Sequence, residues 1–205
     1  MKKLFLLLLT IMPLTLCGQV LRQTGSSAED VLPANWKCDS AYGDMNKDGL
    51  TDLVLIAFPE DNTLAPLLAV YWGTKNGLYR LYSEYPEALP ANDNEFAFPE
   101  YSLSISDKGV MAIEYSLFMS AGSWNTSKDT YRFRFQQGDF YLIGMDTGAL
   151  SRNTGEITED SYNYLTHKRQ TLQYNAMEGN NNKVKEKWTR IPKEPLKRLS
   201  EWSIE

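Results

Sequence analysis

Histidine is nearly absent from this chain: one imidazole, His167, serves 205 residues. A Cys–His or Ser–His catalytic pair would have to be built on that single residue. It lies in Leu165-Thr166-His167-Lys168-Arg169, a polar stretch that reads as an exposed turn. Cysteine is almost as scarce, with Cys17 and Cys38 only. Two thiols, one of them at the N-terminus, make no disulfide framework and no cysteine metal cluster. Cys38 alone reads as a small buried hydrophobe rather than a nucleophile. There is no run of five like charges and no basic stripe, so no nucleic-acid partner is expected. Long helical periodicity and a Pro/Ser-rich linker are also missing, which excludes a helical bundle and argues for one domain.

The N-terminus has the pattern of a secretory leader. Lys2 and Lys3 form a positive start, and Leu4 to Leu16 form an apolar run broken by Thr10, Pro13 and Thr15. That run is too short for a membrane span, which needs about 20 residues. The expected organisation is a signal peptide over 1–18 and one mostly-β domain over 19–205. Two fates are open at the junction. Cleavage after Gly18 gives a free domain beginning at Gln19. Lipidation of Cys17 is the alternative, since Leu14 and Thr15 suit a lipobox although Leu16 is large for the position before the cysteine. Membrane association is expected only through such an anchor. Either fate predicts export, to the periplasm, the outer membrane or the outside. Loss of residues 1–18 leaves 19 basic against 26 acidic side chains, a net charge of −7.

Aromatics are plentiful, with 12 Tyr, 8 Phe and 5 Trp, enough mass for a β core. Leu67 to Trp72 is apolar on both faces and predicts a central strand, with Pro66 at its start. Asn76-Gly77 turns it into Leu78–Ser83. A polar acidic loop is expected from Glu84 to Glu100. Asp107-Lys108-Gly109 joins the alternating runs Tyr101–Ile105 and Val110–Phe118, and Gln137-Gly138-Asp139 joins Thr130–Phe135 to Phe140–Gly144. Ser161–Leu165 with Arg169–Tyr174 reads as a further hairpin, and Lys185–Ile191 as a last strand. Residues 20–35 read as a polar lead-in, and the tail from Pro192 as room for a short helix. The predicted fold class is mainly β, an antiparallel meander forming a sandwich or an open barrel-like sheet.

One segment carries recognisable chemistry. Gly43-Asp44-Met45-Asn46-Lys47-Asp48-Gly49-Leu50-Thr51-Asp52 sets oxygen side chains at alternate positions, then a glycine, then a further carboxylate. A hard cation such as calcium takes six to eight oxygens at roughly 2.3–2.6 Å. Alternation lets a short loop curl so that Asp44, Asn46 and Asp48 face one centre. Gly49 can take the sharp turn. Leu50 offers its carbonyl, and Asp52 closes the loop directly or through water. The segment starts like an EF-hand, but Leu55 stands where that loop needs a bidentate Glu, and Asp52–Phe58 reads as a buried strand. A calcium loop feeding a strand resembles the FG-GAP/VCBS repeat of integrin-type β-propellers. Gly43 to Leu53 matches its core, and Leu67–Gly73 with Asn76–Tyr79 matches the rest loosely, over about residues 38–82. The resemblance implies calcium-ligand roles for Asp44, Asn46, Asp48 and Asp52, with one structural ion. A propeller needs about four or more blades, and one copy of the motif predicts no complete propeller.

Two other segments are candidates for contact. Met119-Ser120-Ala121-Gly122-Ser123-Trp124-Asn125-Thr126 is a small-residue loop bearing one Trp. Trp124, with Ser123 and Asn125, could stack on a sugar ring or a partner side chain, or fold back to cap the sheet. Arg152 to Asp160 reads as a solvated acidic hairpin tip. No motif selects a pair among the 26 acids for glycosidase chemistry. The expected function is a non-enzymatic calcium-binding β module that holds a protein or glycan. A polysaccharide hydrolase and a secreted inhibitor or immunity-type protein are the alternatives.

Overall fold

A computed structural model describes residues 20–61, 63–179 and 183–204; the expected leader and Cys17 lie outside them. Among these residues twelve strands and one short α-helix follow in chain order. They are β1 (Thr24–Gly25), α1 (Ala28–Val31), β2 (Lys37–Gly43), β3 (Asp52–Phe58), β4 (Leu67–Gly73) and β5 (Tyr79–Tyr85), then β6 (Ala97–Ile105) and β7 (Val110–Met119). The rest are β8 (Asn125–Gln136), β9 (Asp139–Ser151), β10 (Glu156–Asn163), β11 (Lys168–Asn175) and β12 (Lys185–Arg190). They form two antiparallel sheets, one ordered β1-β5-β4-β3-β2 and one ordered β12-β11-β10-β9-β8-β7-β6. The fold is therefore mainly β and antiparallel, with a half-barrel-like sheet and no complete propeller among the described residues.

Alternation along β3 and β4 explains the layering. Val54, Ile56, Leu68 and Val70 face the second sheet and join Met111, Ile113, Phe133 and Phe140 in the main core. Leu53, Leu55, Ala69 and Tyr71 face the other way, onto Leu21, Ala28, Val31 and Leu32. The stretch expected as a polar lead-in thus covers the outer face of the first sheet. Ser27 caps α1 by accepting a hydrogen bond from Asp30 N. Both faces of β3 and β4 being covered is why those strands are continuous apolar runs.

The hairpins follow their turn chemistry. Gln137 and Gly138 both have positive φ (53° and 80°), the type I′ geometry whose twist matches the flanking strands. At the C-terminus the expected helix is one 3-10 turn, Leu199–Glu201. Beyond it Trp202 packs against Tyr131 and Phe133 with ring centroids 4.7 and 5.0 Å away, closing the main core.

The far end of the larger sheet is different. No residue of β10, β11 or β12 belongs to the fully buried core, although many in β10 and β11 are half-buried. This corrects the expected acidic tip: Glu156, Glu159 and Asp160 belong to β10, and only Arg152–Gly155 form the turn before it. Asp160 pairs with Arg169 on β11 and accepts from the Thr171 hydroxyl.

Candidate functional site: an oxygen-rich loop and an aromatic edge

The oxygen-rich segment links β2 to β3 and is wound around its own side chains. Asp44 Oδ1 accepts from Lys47 N at 2.7 Å and Oδ2 from Gly49 N at 3.1 Å. Asn46 Oδ1 accepts from Asp48 N at 3.0 Å, and Asp48 Oδ1 from Leu50 N at 2.8 Å. Each alternate side chain therefore closes a local turn, the habit of Asn and Asp. Lys47 and Gly49 supply the curl with φ of 67° and 84°. Asn46 Nδ2 also donates to Asp48 Oδ2 at 3.0 Å.

Asp52 plays a different part from the other three oxygen side chains. It is fully buried, whereas Asp48 is exposed and Asp44 and Asn46 half-buried. Its Oδ2 accepts from Met45 N at 2.8 Å and its Oδ1 from Gly73 N at 3.0 Å. Burial pushes its pKa up, the amides of Gly73, Met45 and Asn46 pull it back, and the charge of Asp48 raises it further. Asp52 thus fastens the start of the loop to the end of β4.

The loop also touches the second sheet. Lys47 Nζ donates to the Asp107 carbonyl at 3.4 Å. Gly109, at φ 70°, sits so close to the Asp44 carbonyl and Lys47 that a Cβ would collide, and Gly43 lies against Ile105. Nearby, the edges of the sheets are joined by Asp39, whose carboxylate accepts from Leu103 N at 2.8 Å. The loop therefore stands at the seam between the sheets.

Calcium suits the chemistry of this donor set, which is all oxygen and includes two carboxylates reachable from solvent. Carboxylate oxygens that each accept one amide keep further lone pairs. Asp44, Asn46, Asp48 and the Leu50 carbonyl are the groups that would hold the ion. Asp52, with both oxygens on amides, would join from behind or through water. Among the described residues no three His, Cys, Asp or Glu side chains gather closely enough to form a metal cluster by themselves, so the ion would draw on Asn46 and backbone oxygen as well.

The second candidate lies at one end of the larger sheet. Trp124 is 65 % exposed and does not fold back onto the sheet. Its loop is held by a residue that sequence reading placed in the polar tip, Arg152. Arg152 Nη2 donates to the Met119 and Ser123 carbonyls at 2.7 and 2.8 Å, and Nε to the Trp124 carbonyl at 3.2 Å. Ser123 Oγ accepts from Asn125 N at 3.0 Å, so both flanking residues shape the loop, and Asn125 opens β8. The guanidinium also lies 4.6 Å from the Phe118 ring centre and 5.9 Å from that of Trp124. Phe118 pairs across the strands with Phe98, their centroids 6.2 Å apart, and both are exposed. Phe98, Phe118 and Trp124 form one exposed aromatic edge organised on Arg152. Phe98 lay in the stretch expected as a polar loop from Glu84 to Glu100, but β5 runs to Tyr85 and β6 already begins at Ala97. Phe118 lay at the end of an alternating run, and nothing local marked either as a neighbour of Trp124.

Cys38 and His167 take bland positions. Cys38 packs beside the outer core, and burial raises its thiol pKa, with help from Glu29 and Asp39. His167 holds a turn at φ 55° and is half-buried rather than exposed. No known protein family, curated protein or solved structure matches the chain.

Proposed function

We propose that the protein is an exported β module that holds a protein or glycan partner on the Phe98–Phe118–Trp124 edge, with one structural calcium at the Asp44–Asp52 loop. The observation that carries the binding role is the exposure of Trp124 on a loop bonded to Arg152. Trp124 stands beside two further exposed rings, Phe98 and Phe118, and Arg152 ties its loop by three bonds to loop carbonyls. Preorganisation of that kind reduces the entropy lost on binding, and Trp and Arg are enriched among binding hot spots. The ion, when bound, neutralises the loop carboxylates and ties the loop at the seam between the sheets. The leader-like residues 1–18 support export, with Cys17 as the point of lipid attachment or removal.

Support for binding over hydrolysis comes from the acids themselves. Asp129, Thr147 and Asp160 lie in one cross-strand row, and burial raises the pKa of Asp129. Asp160, the acid in that row, is committed to Arg169 and Thr171, so it is not a free partner for Asp129. The test of the binding role compares wild type and Trp124→Ala for retention of glycans on an array and of envelope proteins. The variant should lose the retained partner while melting at nearly the same temperature. Equal retention by both would contradict the proposal.

A further inference from the structure

Away from both sites, the C-terminal segment arches over the far end of the larger sheet. It is pinned at one end by Ile191 N donating to the His167 carbonyl at 3.1 Å. Leu142 N donating to the Lys197 carbonyl at 2.9 Å pins the other, beside a bridge between Tyr141 and Arg198. Between the pins stand Pro192 and Pro195, which cannot donate to a sheet and hold φ near −65°. The strap therefore cannot zip down as another strand. Beneath it remains a cleft of about 330 Å³, lined among others by Tyr162, Tyr164, His167, Pro192, Glu194 and Lys197.

We propose that this cleft is a binding site for a saccharide of one or two rings, separate from the Trp124 edge and independent of it. Its lining includes Tyr162 and Tyr164, with ring planes only 19° apart and centroids 6.2 Å apart. Arg169, tied to Asp160, lies 5.1 Å from the centre of the Tyr162 ring and steadies it. Tyrosine joins an apolar ring, matched to the C–H face of a sugar, to a hydroxyl that can bond a sugar hydroxyl. His167, Glu194 and Lys197 add donors and an acceptor around a mainly apolar wall, the usual make-up of a small-molecule site. The volume is near the lower end of the range for such sites, roughly 300–1,000 Å³, which favours a compact ring over a peptide running through a groove.

His167 gives a direct readout, because it is the one imidazole in the chain. Glucose, N-acetylglucosamine, cellobiose and maltose are titrated into the protein while the His167 ring signals are followed by NMR. At least one sugar should shift them saturably. Tyr162→Ala should weaken that sugar about tenfold or more, Tyr162→Phe should keep most of the affinity, and Trp124→Ala should leave it unchanged. The wild-type titration does not depend on any variant folding. The proposal is overturned if no sugar moves the His167 signals at concentrations that saturate a millimolar site, or if a proline-rich peptide moves them and no sugar does.

Discussion

The Asp52 carboxylate reaches from the start of β3 to the amide of Gly73 at the end of β4, 3.0 Å away, while its other oxygen takes Met45 N at 2.8 Å. One buried side chain thereby fixes the loop's beginning, its end and the neighbouring strand. Asp52→Ala would leave two amides without their acceptor. Each buried unsatisfied donor costs about 1–3 kcal/mol, so we expect a loss of about 2–6 kcal/mol in urea unfolding with chelator present. Asp44→Ala or Asp48→Ala, nearer solvent, should cost less under the same conditions.

Asp52 also sets a pH dependence. Burial raises its folded pKa above the ordinary 3.8. A raised acid contributes stability that is fully present below the unfolded pKa and declines as pH rises through the folded pKa. Wild type should therefore lose stability relative to Asp52→Asn as pH climbs from about 4. Parallel urea titrations of the two proteins measure this, and a difference that grows in the other direction would contradict the assigned environment.

Asp160 behaves oppositely. The Arg169 hydrogen bonds hold its pKa below 3.8, against some desolvation. A depressed acid contributes stability above the unfolded pKa that is lost as pH falls through the folded one. Asp160→Asn should cost about 1–2 kcal/mol at neutral pH, toward the low side for a charge-assisted pair because Arg169 is partly exposed. That cost should shrink as pH falls below about 4.

Arg152 and Trp124 should separate structure from contact. Arg152→Ala removes three hydrogen bonds to loop carbonyls and should cost about 1–2 kcal/mol. It should also loosen the Trp124 loop, seen as faster amide exchange from Met119 to Asn125. Trp124→Ala should change stability by less than about 0.5 kcal/mol, as for an exposed side chain outside the core. A large loss at Trp124 would show that the ring is structural.

Particular residues show how far the sequence was readable. Gly77, Gly109 and Gly138 marked their turns because each has a positive φ that glycine accepts readily. Leu67–Trp72 announced a strand covered on both sides, and β4 is one. The acids Glu156, Glu159 and Asp160 looked like a loop because β10 puts polar residues on its half-buried positions, so the apolar alternation that identifies a strand is missing. Residues 20–32 looked polar because only a few apolar side chains, among them Leu21, Val31 and Leu32, do the covering. In the candidate site, the alternate oxygens were legible because turn-forming Asx bonds are local. The roles of Asp52 toward Gly73, of Gly109 against the loop, and of Arg152 under Trp124 were not, since each joins residues more than twenty positions apart.

The seam between the sheets gives the central claim its sharpest consequence, because an ion at the loop would stiffen contacts to Asp107 and Gly109 as well as its own ligands. Thermal melting of the domain in millimolar calcium and in chelator is the direct measurement. We expect calcium to raise the melting temperature of the wild type and to leave Asp44→Ala/Asp48→Ala unmoved. At a free ion concentration 100 times Kd the gain should be about 2.7 kcal/mol. Superimposable wild-type curves in calcium and chelator would contradict the calcium reading of the loop.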